Sequence, residues 1–351
     1  MVTAKTRYFV IASLLVMFVG LGTGLVAFYV GFPATAFFNK NSPDELRYLP
    51  SGMSLVGYVE VREIMASDLR QRLRQNFGGE AQDNGRKQFQ ELTGINFETD
   101  IEHIVGGFDA GGPAGSNGLA IARGVFDNVK IEALMQEHGA HVQDYKGKRL
   151  VVVDRFGDAA ATNFNNFGAE ARPADPSFAL TFIEPGLVAF GSTALVQHAI
   201  DLHATGGESA ATNDDLVSHI RALEGGNAWV VGRLDVLRSK TKLPEIVANQ
   251  LPPITWFGFR GHVDGGLQAR VTAEARDDES ATMLRDVVRG FLALAKLQTT
   301  SKPEFQHFIQ SLQLGGTGTT VSLSLDVPAQ LFDALGSVMP KPPVGQPQTP
   351  Q

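Results

Sequence analysis

The chain of 351 residues contains no cysteine, which excludes disulfides, thiolate metal sites and cysteine nucleophiles. No long basic run appears either: 30 Lys and Arg stand against 37 Asp and Glu, and the formal charge of −7 is spread along the chain. Nucleic acid is therefore disfavoured as a partner. Catalytic signatures are missing as well. There is no G-x-S-x-G elbow, HExxH helix, phosphate-cradling G-x-x-x-x-G-K loop or D-x-[DN]-x-[DN]-G calcium loop. The sequence thus gives no reason to expect a catalytic residue, a resident metal or a cofactor.

Charge is also absent from residues 8–32, where Ser13, Thr23 and the hydroxyls of Tyr8 and Tyr29 are the only polar side-chain groups. About 20 apolar residues suffice to span a bilayer, and within lipid such a run satisfies its backbone groups only as a helix. A transmembrane helix is expected here. Ala34-Thr35-Ala36 offers a competing signal-peptidase site, but a signal-peptide core is usually about 7–15 residues, shorter than this run. Lys5 and Arg7 precede the run without an acidic residue, whereas Asp44 and Glu45 accompany Lys40 and Arg47 after it. The positive-inside rule then leaves the N-terminus in the cytoplasm and the remainder on the far side of the membrane. Gly20 and Gly24 make a small-xxx-small spacing suited to pairing with another membrane helix, from a partner or a second copy.

Beyond the anchor the apolar content, 43 % over the chain, is enough for a packed core. The expected order is a cytoplasmic tail (1–7), the membrane helix (8–32), a tether (33–50), an α+β half (51–225), a second α+β half (226–339) and a disordered proline-rich tail (340–351). A β-rich run at 54–61 leads into helical spacing over 62–76, and a second short helix is expected over 86–92. Residues 106–118, GGFDAGGPAGSNG, are too rich in glycine to suggest helix or strand and are expected as a mobile loop. Strand 119–126, helix 128–138 and a hairpin turning at Lys146-Gly147 follow. Two further hairpins turn at Glu184-Pro185-Gly186 and Asp264-Gly265, and the Asp-Gly pair favours a type I′ turn. Helices are expected at 193–203 and 279–297, the latter with one apolar face made by Met283, Leu284, Val287, Val288, Phe291, Leu292 and Ala295. Short helices at 303–312 and 329–338 bracket a last strand, 319–327. SLVGYVEVREIM from Ser54 is echoed by NAWVVGRLDVLR from Asn227, which suggests two diverged repeats joined near Gly225-Gly226. The fold class expected is α+β, with antiparallel sheets covered by helices.

This order of strands and helices, with the Tyr145-Lys146-Gly147 hairpin, the Gly191-Ser192-Thr193 helix start and the Trp229 strand, resembles bacterial exported proteins of unknown function. The resemblance covers about residues 49–237. It implies an envelope location and carries no catalytic residue across.

Several clusters invite chemistry. Gly191-Ser192-Thr193 has the look of a nucleophile elbow, but Ser192 or Thr193 as a helix N-cap explains the same residues. His138 and His141, or His198, Asp201 and His203, could suggest metal, but their spacings do not place imidazoles together on one helical face. Glu98, Asp100, Glu102 and Asp109 could surround calcium, although Thr99 to Glu102 also fits a capping box. Arg70, Arg72 and Arg74 could rest against anionic headgroups. The function expected is a membrane-tethered envelope protein with a non-catalytic binding or scaffolding ectodomain, acting as an accessory to a membrane complex. An apolar-ligand carrier and a hydrolase with an unrecognised site are the alternatives.

Overall fold

A computed structural model describes residues 43–77, 87, 90, 91, 94–110, 118–153, 177–223, 225–236, 252–299 and 309–329. The expected membrane segment with Gly20 and Gly24, the core of the glycine loop (111–117) and the proline-rich tail lie outside these residues. Among the described residues no helix is long and apolar enough to cross a membrane.

The molecule is α+β, built on a single antiparallel sheet of twelve strands. In chain order the elements are β1 (Leu55–Val59), α1 (Val61–Ala66), α2 (Asp68–Phe77), β2 (Ile101–Phe108), β3 (Gly118–Gly124), α3 (Asn128–Glu137), β4 (His141–Tyr145) and β5 (Lys148–Val153). They continue as β6 (Phe178–Glu184), β7 (Leu187–Ser192), α4 (Thr193–Thr205), α5 (Asp214–Arg221), β8 (Ala228–Arg233), β9 (Ile254–Val263), β10 (Gly266–Ala275), α6 (Asp278–Thr299), β11 (Gln313–Gly315) and β12 (Thr320–Pro328). Their order across the sheet is β11-β12-β10-β9-β8-β1-β2-β3-β7-β6-β5-β4. Reading outward from the β1/β8 boundary, each side runs through three strands of rising number, β1-β2-β3 and β8-β9-β10. A helix follows each third strand, α3 and α6, and the next strand outward returns antiparallel to it, β7 and β12.

Strand periodicity sorts the first seven strands into two cores. Val56, Leu119, Ile121, Leu150, Leu187 and Ala189 face one way, under α4 and α5. Their neighbours Ala120, Ala122, Val151, Leu180 and Val188 face the other way, against Ile131 and Met135 of α3. Alternation with period two places adjacent residues on opposite faces, so continuous apolar runs such as Leu150-Val151-Val152 mark strands buried on both sides. The third core is small: Ile254, Ala275, Ala281, Leu284 and Val321 join α6 to β9, β10 and β12.

Several expectations are corrected. Residues 43–50 belong to the domain rather than to a tether: a 3-10 helix, Asp44–Tyr48, buries Glu45, Leu46 and Tyr48, and Leu49 follows at 0 % exposure. Residues 106–108 and 118 lie in β2 and β3: Gly106 and Gly107 pair with Gly57 and Val56 of β1 and with Ala120 and Leu119 of β3, and Met53 packs over Gly107. Thr99 to Glu102 forms no capping box, since a turn passes directly into β2 there and Asp100 accepts from the backbone of Asn96. The helical stretch over 62–76 breaks at Ser67, whose hydroxyl donates to the Ile64 carbonyl. The left-handed pair typical of a type I′ turn is found at Lys146 (φ 52°) and Gly147 (φ 77°), not at Asp264-Gly265. Gly186, at φ 74°, has the sign a type II turn needs after Pro185.

Candidate interaction surface

The N-terminal 3-10 helix is locked to the sheet by a buried charge. The Glu45 side chain is 4 % exposed; it accepts from Arg123 Nε at 2.6 Å and lies 3.3 Å from His103 Nε2. His103 and Arg123 are cross-strand partners on β2 and β3. Burial alone would raise the Glu45 carboxyl, but His103 and Arg123 outweigh it and hold the group at about 2, below its ordinary 4.5. Beside this lock, Tyr48 donates its hydroxyl to Glu184, with Arg47 at 3.5 Å and His203 at 3.6 Å from the same carboxylate oxygen. The groups around Glu184 satisfy one another, as structural ion pairs do.

The clusters picked out in sequence do not assemble. Ser192 caps α4 by position, but its hydroxyl makes no capping bond and is buried without a partner; Thr193 instead donates to the Ser177 carbonyl at 2.9 Å. Asp201 is held by Lys146 at 2.6 Å and by the Tyr145 hydroxyl at 3.2 Å, while His203 faces Glu184. His138 bonds the Leu134 carbonyl, and His141 bonds Gln143. Glu98 pairs with Arg70, Glu102 pairs with Arg62 at 2.9 Å, and Asp100 closes its own turn. Among the described residues no three ligand-type side chains converge as a metal site would require. Arg70 is drawn inward by Glu98 and the Met65 carbonyl, whereas Arg72 is exposed on α2. The side chain of Arg74 lies outside the described residues.

What sequence reading missed is a polar stretch of sheet. Trp229 of β8 is paired with Arg260 of β9, Arg260 with Arg270 of β10, Arg270 with Ser324 of β12, and Ser324 with Gln313 of β11. Directly paired residues point to the same face. The flanking rows contribute Thr272 with Ser322, and Gln268 with Asp326. Arg270 donates from Nε to Ser324 at 3.0 Å, and Arg270, Gln268 and Asp326 are exposed. Burial and the nearby Arg270 both push the Arg260 guanidinium below its ordinary value. Like charges directly opposite one another destabilise a sheet pair, and beside Arg260 the Arg270 guanidinium is held by Ser324.

One end of this face is aromatic. Trp256, opposite both Arg233 and Glu274, is stacked on His219 of α5 with ring centroids 4.3 Å apart and planes 19° from parallel. His219 Nε2 lies 2.7 Å from Glu274, and Nδ1 lies 2.7 Å from the Asp215 carbonyl, so both ring nitrogens face acceptors. Arg233 sits 6.0 Å over the indole and pairs with Asp235 at 2.7 Å. The alternation of polar and apolar residues in β10, QARVTAE from Gln268, was the signal available: one solvated face and one packed face.

A second polar feature lies at the α6 edge. Arg285, Arg289, Lys296, Leu314 and Gly316 line an open groove of about 380 Å³. Arg285 donates to the carbonyls of Gly318 and Thr320 at 2.6 and 3.1 Å, and Arg289 pairs with Asp286 at 2.9 Å, so the groove's guanidiniums are engaged within the fold.

Compared with family profiles, with characterised proteins and with solved structures, the chain matches none.

Proposed function

We propose that this chain is a membrane-tethered, non-catalytic binding protein of the bacterial envelope, with residues 8–32 as its anchor, its N-terminus in the cytoplasm and its ectodomain outside. Its partner-binding surface is the polar face of β9, β10 and β12, bounded by Trp256. The observation that carries this reading is the row Arg260–Arg270–Ser324, which no helix among the described residues covers, set beside a stacked tryptophan. Tryptophan and arginine are the residue types that dominate interface energetics, and paired guanidiniums suit a carboxylate-rich protein surface. The two halves are diverged repeats related by a two-fold axis between β1 and β8; the strand order outward from that boundary supports this.

The test is affinity purification of the full chain from gently solubilised membranes. Wild type is expected to retain a reproducible partner that Trp256→Ala and Arg270→Glu both lose, while Val129→Ala, on the opposite face, retains it. Recovery of the protein alone, or the same co-purifying set from all four chains, contradicts the reading.

A further inference from the structure

The helix α6 carries an apolar seam that none of the described residues covers. Its inward side is Ala281, Leu284 and Val288, packed on the small third core. Phe291, in line with Leu284 about two turns further on, is 41 % exposed, and a second side exposes Met283, Leu294 and Leu297 at 53, 54 and 74 %. The apolar face read from sequence is therefore two faces. Met283, Val287, Gly290, Leu294 and Leu297 follow one another at intervals of four, three, four and three residues, the spacing that keeps a stripe facing a second helix.

Gly290 sharpens this. A glycine inside a helix costs about 0.5–1 kcal/mol relative to alanine, and here a β-carbon would meet nothing within 4 Å. Nothing among the described residues needs this position to be small. A small residue amid an exposed apolar seam is what a closely approaching second backbone requires. The seam is also symmetric about it: Met283 and Leu297 each lie seven residues away, and Val287 and Leu294 lie three and four.

We propose that α6 pairs with α6 of a second copy of this chain, antiparallel, about a two-fold axis at Gly290. Met283 of one copy then packs on Leu297 of the other, and Val287 on Leu294. A bilayer surface fits less well. Interfacial helices flank their apolar face with cations, but at 100° per residue Arg289 and Lys296 lie about 140° and 160° around the axis from Leu294, towards the groove. The seam is about 21 Å long, enough to cover roughly half of the about 800 Å² per partner found in a standard stable interface. The pairing is accordingly weak in dilute solution and strong when two copies share a membrane, where effective concentrations reach the order of mM. Its strength, though not its geometry, rests on the anchored reading of residues 8–32.

Absence of cysteine makes the test clean. Single-cysteine full-length chains are expressed in membranes and oxidised, and alkaline carbonate extraction is run in parallel. The expected results are a homodimer disulfide from Gly290→Cys, and a heterodimer only when Met283→Cys and Leu297→Cys chains are mixed. The heterodimer is lost when the mixed chains also carry Leu294→Asp, or Gly290→Leu, which adds bulk only into open space, and the Gly290→Cys homodimer is lost when that chain also carries Leu294→Asp. Val129→Cys, equally exposed on α3, stays monomeric. A monomeric Gly290→Cys chain in membranes that resist extraction overturns the proposal, as does self-coupling of Met283→Cys or a Gly290→Cys adduct with a different protein. Release of the chain by carbonate overturns the anchor instead; Gly290→Cys coupling of the concentrated soluble chain then still supports the α6 pair, and its failure there overturns that too.

Discussion

One row of paired residues crosses all twelve strands and divides the molecule in two. From β4 to β1 it reads Gln143, Leu150, Thr181, Ala189, Ile121, Val105 and Tyr58; from β8 to β11 it reads Trp229, Arg260, Arg270, Ser324 and Gln313. The sheet and its hydrogen bonding are the same on both sides. What differs is the layer above: α4, α5 and the 3-10 helix cover the first stretch, and the described second stretch is open beyond α5. The backbone ladder thus sets the architecture, and the side chains on one face decide whether a stretch of it is core or surface. The first half is built for stability, and the second presents groups to solvent.

The comparison breaks or holds on stability measurements. The largest effect is expected from Ile121→Ala, at 0 % exposure in the covered half; the lost burial and the cavity left behind should destabilise by about 3–4 kcal/mol in urea titration. Equal losses from Arg270→Ala would erase the distinction, because an exposed position is expected to change stability by no more than about 0.5 kcal/mol.

Acid should come next, through Glu45. Its carboxyl is depressed from 4.5 to about 2 in the folded state, so the stability it contributes is full above pH 4.5 and is lost as pH falls from there towards 2. A shift of this size corresponds to about 3 kcal/mol. Glu45→Gln should lower stability at neutral pH and flatten the dependence within that window, as followed by denaturation at a series of pH values. An unchanged slope in the variant would remove Glu45 as its source.

A smaller effect is expected in the second half's own core. Leu284→Ala should cost about 2 kcal/mol, at the low end for such truncations because the small cluster around it can relax. Hydrogen exchange should show the same asymmetry, with amides of residues 287–299 exchanging faster than those of α4. The reverse order would mean that α6 is covered more completely than its exposed side chains indicate.

Much of the fold was legible because local rules carried it. The hairpins at Gly186 and Lys146-Gly147 announced antiparallel pairing, and β1 and β8, which echo each other in sequence, lie side by side at the centre. The misses were of two kinds. Glycines at 106 and 107 signal a loop locally and are strand because β1 and β3, distant in sequence, pair with them on both sides. Residues 43–50 carry too little periodicity to reveal that Glu45 meets His103 and Arg123, which are far off in sequence. The candidate surface was the least legible part, since Arg260, Arg270 and Ser324 come from three strands and acquire meaning only through register. Clusters close in sequence, such as His198, Asp201 and His203, suggested chemistry, but Asp201 is engaged by Lys146 and Tyr145 and His203 by Glu184.

The central claim, that the open face of β9, β10 and β12 is where a partner binds, is tested most directly by photo-crosslinking in intact cells. A crosslinking residue at Gln268 or Arg270 should give one discrete adduct with another protein, lost when Trp256 is also changed to alanine, while the same probe at Val129 gives none. No adduct from Gln268 or Arg270, or the same set of adducts from all three positions, would contradict it.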